Sequence, residues 1–519
     1  MIINKSISLI LFSFISYLIL GTGIQGDDIT EIVKMSSMTY EEYLKLSPEL
    51  HGHYVFGVPA HYSLFWAYKV FGLSDPLAFE ILKIVFHYIC LYMIFKFFCQ
   101  YLNKETAVLA GLIFILIPIH DATTYWFMAL VYIVPPSLLM YSDYLWNLKR
   151  KKIAFISNFV GATFFYTSVP FSLAFSLLNI FKRNYKKSLF FLIPSIAYIG
   201  YYISMSILYS GIERKISYEL TILGILKNLL GQFITLIDSN IGISFALKIL
   251  LSIGYIDILG LMASVILISL IWVNRNKLLF EKKSFIRNFH DITILGILLI
   301  IVSSLIFVIS NRYFQSPFNL GNRTLIYSSL IVSILFVNIF SRNKQILLIG
   351  YSLLIFATIG NSNHWKEAWV MQSKVINNIR SNKDLEAIPR GSSVIVIGNG
   401  YIKQGIIDNI EFLIMPWNLR SLFSNKDHVS PVFATSELNI NGNQITNLKF
   451  NETVYINSQI YLYNTQSNTL TKSNVIEIKE LIKSLEPHQR HWIQILDNDQ
   501  LKLVTQIISP RLSYLFKNG

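Results

Sequence analysis

Charge is what this sequence has least of for its size. Only 14% of its 519 residues are Asp, Glu, Lys or Arg, whereas 53% are apolar; soluble domains carry about 25% charge. That balance cannot hydrate a globular surface over the whole length, so most of the chain is expected in lipid. Cysteine is scarce as well. Cys90 and Cys99 fall in one apolar segment, which excludes a disulfide framework and a Cys-based zinc site. There is no P-loop, no G-x-G-x-x-G after a strand and no kinase signature set. A nucleotide-driven reaction on the inner face therefore has no apparatus, and substrates must reach the outer face already activated. No repeat of about 20 to 50 residues marks a solenoid.

What is present is a net charge of +14, held in short clusters between apolar runs. These are Lys149-Arg150-Lys151-Lys152, Lys182-Arg183 with Lys186-Lys187, the stretch Arg275 to Arg287 with Lys277, Lys282 and Lys283, and Arg342 with Lys344. A nucleic-acid partner would need a basic face on a soluble domain, which this pattern does not offer. Short Lys- and Arg-rich loops stay on the cytoplasmic side of a membrane, so the four clusters serve as topology markers.

The pattern predicts a polytopic α-helical membrane protein of about eleven spans, since a bilayer core takes about 20 apolar residues per helix. The spans are expected at roughly 6–24, 78–98, 105–119, 124–146, 153–167, 168–181, 188–209, 255–274, 292–310, 324–340 and 345–360. With the N-terminus cytoplasmic, all four markers fall inside. The loops 25–77, 119–123, 210–254 and 311–323 then fall outside, as does everything after 360. Parity requires two spans within 153–181, with Pro170 as the break. It also favours a retained first helix over a cleaved signal peptide, for which Gly21-Thr22-Gly23 offers only small residues. The chain thus divides into a bundle at 1–360 with a large first outer loop at 25–77, and a soluble α+β domain at 361–519 on the outer face. In the latter, His364 to Asn382 has helical spacing, SSVIVIG at 392–398 reads as a buried strand, and Glu437 to Tyr463 alternates in short β-like runs.

The polar residues on the outer side carry the chemistry. Asp27 and Asp28 follow the first span, where a carboxylate pair is costly unless solvated, paired or bound. One reading makes Asp28 a helix cap; the other makes one carboxylate a general base or metal ligand, with Glu31 three residues on. His51, His53 and His61 would be the ligands if a divalent ion is held, although none has the i, i+4 spacing of a helical site. Their alternative is a polar loop among interfacial aromatics. His120 and Asp121 occupy the short turn between two spans, as substrate contacts or as a cap for the next helix. Arg312 and Arg323, the latter after Asn322, put guanidinium on the outer side against the positive-inside tendency. A lipid phosphate there would explain them, and snorkelling to headgroups is the alternative.

This layout resembles the GT-C superfamily of integral-membrane glycosyltransferases, which includes protein O-mannosyltransferases, oligosaccharyltransferases and the aminoarabinose transferases of lipid A. The resemblance rests on Asp27-Asp28 after the first span and on the long first outer loop with amphipathic stretches at Tyr40 to Leu46 and Tyr62 to Phe71. It rests also on the Pro118-x-His120-Asp121 turn, the two short spans at 153–181, the late outer Arg and the C-terminal outer domain. It implies transfer of a sugar from a polyprenyl phosphate or pyrophosphate donor to a glycan, lipid or protein acceptor on the outer face. By that comparison Asp27 or Asp28 is the base and the other orients it or holds a divalent ion. Arg323, with Asn322 beside it and Arg312 behind it, binds the donor phosphate, and His120 and Asp121 line the acceptor side. There is no W-W-D-type signature, which argues against an oligosaccharyltransferase.

Two rival readings stand beside it. An O-antigen-type polymerase would depend on outer-loop arginines more than on the Asp pair. A lipid-linked-sugar transporter or flippase would need polar groups at mid-membrane, for which Lys83 and His87 are the candidates. The Asn-, Ile- and Lys-rich composition points to an AT-rich bacterial genome, and so to a bacterial cytoplasmic membrane with the C-terminal domain extracytoplasmic.

Overall fold

The computed structural model describes residues 5–45, 60–208, 221–278, 282–309, 314–448, 452–493 and 503, apart from positions 427, 457, 458, 487 and 490. The described residues are mostly helical, with strands confined to the C-terminal region. The larger helices are α1 (Lys5–Ile19), α2 (Asp28–Ser37), α3 (Pro76–Phe98), α4 (Lys104–Leu116), α5 (Val134–Asn147), α6 (Lys151–Thr163), α7 (Val169–Phe181) and α8 (Tyr185–Leu208). They continue as α9 (Ile222–Ile241), α10 (Ile243–Ile253), α11 (Ile258–Leu278), α12 (Lys282–Ile309), α13 (Ile326–Phe340) and α14 (Lys344–Ser381).

Among the described residues seven segments are long and apolar enough to cross a bilayer: Pro76–Phe98, Tyr185–Met205, Ile222–Ile253, Ile258–Leu278, Phe289–Ile309, Leu320–Phe340 and Lys344–Ser381. Helices α6 and α7 form one further apolar pair, bent by 114° at the Phe164–Phe165 break, with Pro170 inside the first turn of α7. At 15, 13 and 14 residues, α1, α4 and α5 fall short of the roughly 20 that a straight crossing takes.

The expected outer loop at 210–254 is corrected: from residue 222 onward it is helical, as α9 and α10. Lys227, Asp238 and Lys248 interrupt the apolar run and conceal the two helices. Two of these charges are satisfied internally, Asp238 by Ser244 Oγ at 2.5 Å and Lys248 by Asp121 at 2.9 Å. Helix α9 is also inverted relative to a soluble helix. Leu223, Leu226, Leu230, Ile234, Ile237 and Ile241 form an exposed stripe at three- and four-residue spacing, while Asn228, Gln232, Thr235 and Ser239 point inward. Such a surface is solvated by hydrocarbon, not by water.

The bundle has two chemically different ends. At one, Asn103 Nδ2 donates to Lys277 O at 3.1 Å, Lys187 pairs with Asp143 at 2.6 Å, and Lys182 contacts Asp291. The basic clusters therefore gather there. At the other end, about 35 Å away along the 23 residues of α3, lie Gly23, Asp28, Asp121 and Arg323.

The change in composition at 360 is not a change in structure, because α14 runs unbroken through it to Ser381. Its backbone touches α10 there: a Cβ on Gly360 would stand 1.9 Å from the Ser252 carbonyl oxygen, so only glycine fits. Beyond it, β1 (Ser392–Ile397) pairs in parallel with β4 (Val429–Phe433) and with β5 (Ile460–Asn464), and β6 (Thr469–Ser473) closes the sheet antiparallel to β5. Alternation along β1 gives the sheet two buried faces. Val394 and Val396 join the core shared with the bundle, and Ile395 packs with Ile460, Ile478 and Ile482 on the other side. A separate hairpin, β2 (Tyr401–Gln404) and β3 (Ile407–Glu411), reaches back to the bundle: Gln404 Nε2 donates to Ser252 Oγ at 3.0 Å, and Gly405 N to Tyr255 OH at 3.2 Å.

Candidate functional site

Asp27 and Asp28 are adjacent in sequence and opposite in environment. Asp28 is fully buried, and four donors reach its oxygens. Tyr68 OH lies at 2.6 Å and Met128 N at 3.0 Å from Oδ1, with Phe127 N at 3.2 Å and Gln25 N at 3.4 Å from Oδ2. Burial pushes its carboxyl above the usual range, against these donors and the Lys83 ammonium, which favour the ionised form. Asp28 thus ties the start of α2 to the turn at 127–128 and is occupied in doing so. Asp28→Asn would replace an acceptor with a donor and orphan buried N–H groups. The expected cost is about 2 kcal/mol or more, read as a lower thermal midpoint in detergent; an unchanged midpoint would return Asp28 to the list of bases.

Asp27 is half-buried, and its Oδ1 accepts the Trp417 indole N–H at 2.6 Å. Burial raises its pKa, and the nearby Glu411 carboxylate adds to the rise. The Trp417 hydrogen bond and the Arg323 guanidinium oppose it. Asp27 therefore sits among a cation, a second carboxylate and an aromatic, three groups from distant parts of the chain. Trp417 comes from a short helix, Pro416–Leu422, whose first turn is set by Pro416.

Arg323 is fixed from below. Its Nη1 donates to Leu320 O at 2.7 Å, and its guanidinium lies 4.9 Å from the Trp126 ring centroid and 5.6 Å from that of Tyr132. Trp126 is buried, and its indole N–H has no hydrogen-bond partner among the described residues. The loop before Arg323 is held by β3. Asn319 N donates to Asn409 Oδ1 at 3.0 Å, and Asn319 Nδ2 to Glu411 Oε1 at 2.9 Å. These bonds hold Asn319 at φ 69°, ψ 162°, a backbone region otherwise left to glycine.

The other expected site residues are placed as follows. Asn322 is buried and spends its amide on the protein: Nδ2 on Asp121 and on Pro317 O at 3.2 Å, Oδ1 on Ala122 N at 3.1 Å. It positions Arg323's loop. Asp121 is buried in a polar node. It pairs with Lys248 at 2.9 Å and accepts from Trp365 Nε1 at 2.9 Å as well as from Asn322. His120 is fully buried, with Nδ1 2.8 Å from Thr123 Oγ1 and Nε2 3.0 Å from Phe114 O, and burial lowers its pKa to about 4. Both residues hold the turn together.

His61 is buried against the Tyr43 ring at 5.7 Å, and burial lowers its pKa to about 4. His51, His53 and Arg312 lie outside the described residues. Among the described residues no group of three or more His, Cys, Asp or Glu could hold a metal ion. Lys83, the mid-membrane candidate, donates to Thr22 Oγ1, Gly23 O and Tyr125 O at 2.8 to 2.9 Å, which binds it into the fold. Glu411 and Trp417 are not legible as site residues. Glu411 ends a strand, IDNIE, whose three polar residues are all buried. No protein-family model, curated protein or solved structure matches this chain.

Proposed function

We infer that the chain is an integral-membrane glycosyltransferase of the polyprenyl-phosphate-dependent kind, with Asp27 as base and Arg323 as donor-phosphate ligand. The observation that carries this reading is that Asp27, held by Trp417, and the Arg323 loop, held through Asn319 by Glu411, lie at the end of the bundle opposite the basic clusters, where both Arg323 and Glu411 bear on the Asp27 charge. With the basic end cytoplasmic, that site lies on the extracytoplasmic side of a bacterial inner membrane. There it would receive a lipid-linked sugar and an acceptor hydroxyl.

The chemistry needs three things. Asp27 takes the proton of the acceptor hydroxyl, whose oxygen bonds to the anomeric carbon. The bond from that carbon to the phosphate oxygen breaks, and negative charge collects on the lipid phosphate. Arg323 stabilises that charge, held by Leu320 O and over the Trp126 ring so that little reorganisation is needed.

The test is the pool of polyprenyl-linked sugars in cells lacking the protein, restored with wild type or with Asp27→Asn at matched abundance. Donor accumulation cured only by wild type supports transfer, and mass spectrometry of the donor gives the sugar. An unchanged pool, or rescue by the variant, moves the assignment to the polymerase or flippase class. In membranes, Arg323→Gln should raise the KM for the donor by about 10- to 100-fold, the worth of a lost charge-assisted contact. A KM within twofold of wild type would remove Arg323 from the donor site.

A further inference from the structure

Helices α1, α4, α11 and α14 leave between them an apolar groove of about 270 Å³. Phe14, Leu109, Leu112, Leu270 and Ile355 are among its walls, and no side chain of the described residues fills it. It follows α4 from Glu105 to Ile117, about 20 Å at the helical rise. That exceeds the roughly 15 Å depth of one leaflet's hydrocarbon. The groove ends where Thr358 Oγ1 donates to Leu116 O at 3.4 Å, short of the turn that carries Asp121.

Its polar end decides what fits. Glu105, Asn274 and Lys277 line it there, at the end of the bundle where the basic clusters gather. The exposed Lys277 ammonium has no hydrogen-bond or ion-pair partner among the described residues, and Lys104 lies exposed beside Glu105. Arg275 is held against the Trp272 ring at 4.1 Å. With Lys104 beside it, the mouth carries two ammonium groups, Lys277 and Lys104, against the single Glu105 carboxylate, and the remainder of the lining is hydrocarbon-like.

We propose that this groove holds one acyl chain of an anionic glycerophospholipid, its phosphate against Lys277, as a resident lipid separate from the Asp27–Arg323 site. The chain fills space that water cannot solvate, and the ammonium selects the headgroup. The proposal does not depend on the glycosyltransferase reading.

The experiment is native mass spectrometry of the full chain released from detergent, titrated with phosphatidylglycerol or with phosphatidylcholine of the same chains. Wild type should retain one phosphatidylglycerol in preference to phosphatidylcholine by about tenfold. Lys277→Glu, an exposed change, should abolish that preference while still holding a chain. Leu112→Trp and Leu270→Trp, half-exposed wall positions in different helices, should each remove the retained lipid; two variants guard against one failing to fold, as monitored by thermal unfolding without added lipid. Equal retention of both lipids by wild type, unchanged preference in Lys277→Glu, or an undiminished bound lipid in a folded tryptophan variant would overturn the proposal. So would recovery of a polyprenyl phosphate from the groove in place of a glycerophospholipid.

Discussion

Asp27→Asn is expected to reduce sugar transfer by about 10²- to 10⁴-fold, the range for loss of a general base, without unfolding the protein. The Trp417 indole N–H now bonded to Asp27 Oδ1 at 2.6 Å can donate equally to the asparagine carbonyl, so the local contact survives. Burial and Glu411 raise the Asp27 pKa, so the base is lost at a higher pH than for an ordinary carboxylate. As pH falls through that raised value, kcat/KM should fall with it. The variant's residual rate should lack this acid limb. Two measurements decide: the transfer rate at matched folded abundance, and its pH profile. Near-normal turnover, or an acid limb unchanged in the variant, would take the proton from some other group. Asp28→Asn supplies the contrast, because its first effect is on stability.

The largest expected stability effect is at Lys248. Lys248→Met removes the ammonium from Asp121 and leaves a fully buried carboxylate with two neutral donors, Trp365 Nε1 and the Asn322 amide. Breaking a buried pair from one side costs about 3–5 kcal/mol, because the partner's charge stays desolvated. The thermal midpoint in detergent should fall accordingly. Replacing both charges, as Lys248→Met with Asp121→Leu, should not recover wild type, since Asn322 and Trp365 would then be orphaned donors at about 1–3 kcal/mol each. Donor KM should rise in both variants, because Asn322 anchors the loop that presents Arg323. An unchanged midpoint in Lys248→Met would mean that the node is not closed as described.

The same node explains what sequence reading could and could not reach. His120 and Asp121 stand out as polar residues in a short turn between apolar segments, and the turn does lie beside the Arg323 loop. Their role does not follow from position. Asp121 meets Lys248 from a helix that its own charges concealed, and Trp365 from a helix that crosses the compositional boundary at 360. A charge within an apolar run reads as the end of a span unless its partner is known, and the partner here is 127 positions away.

The carboxylate pair makes the point at closer range. Successive residues at a helix start point about 100° apart, so one of two neighbours is turned inward and the other outward. Which one is decided by Tyr68 and the 127–128 backbone, brought against Asp28 by packing. Glu411 and Trp417 reach Arg323 and Asp27 only because the β2–β3 hairpin folds back onto α10 and α14.

The sequence by itself determined the solvent and the ends. Low charge and long apolar runs require hydrocarbon around most of the chain, and the basic clusters collect at one end because local composition governs which segments can leave lipid. Tertiary structure alone decided which polar groups are spent on the fold and which remain for chemistry. A buried carboxylate is structural or reactive according to the donors around it, and those donors come from parts of the chain that only packing brings together.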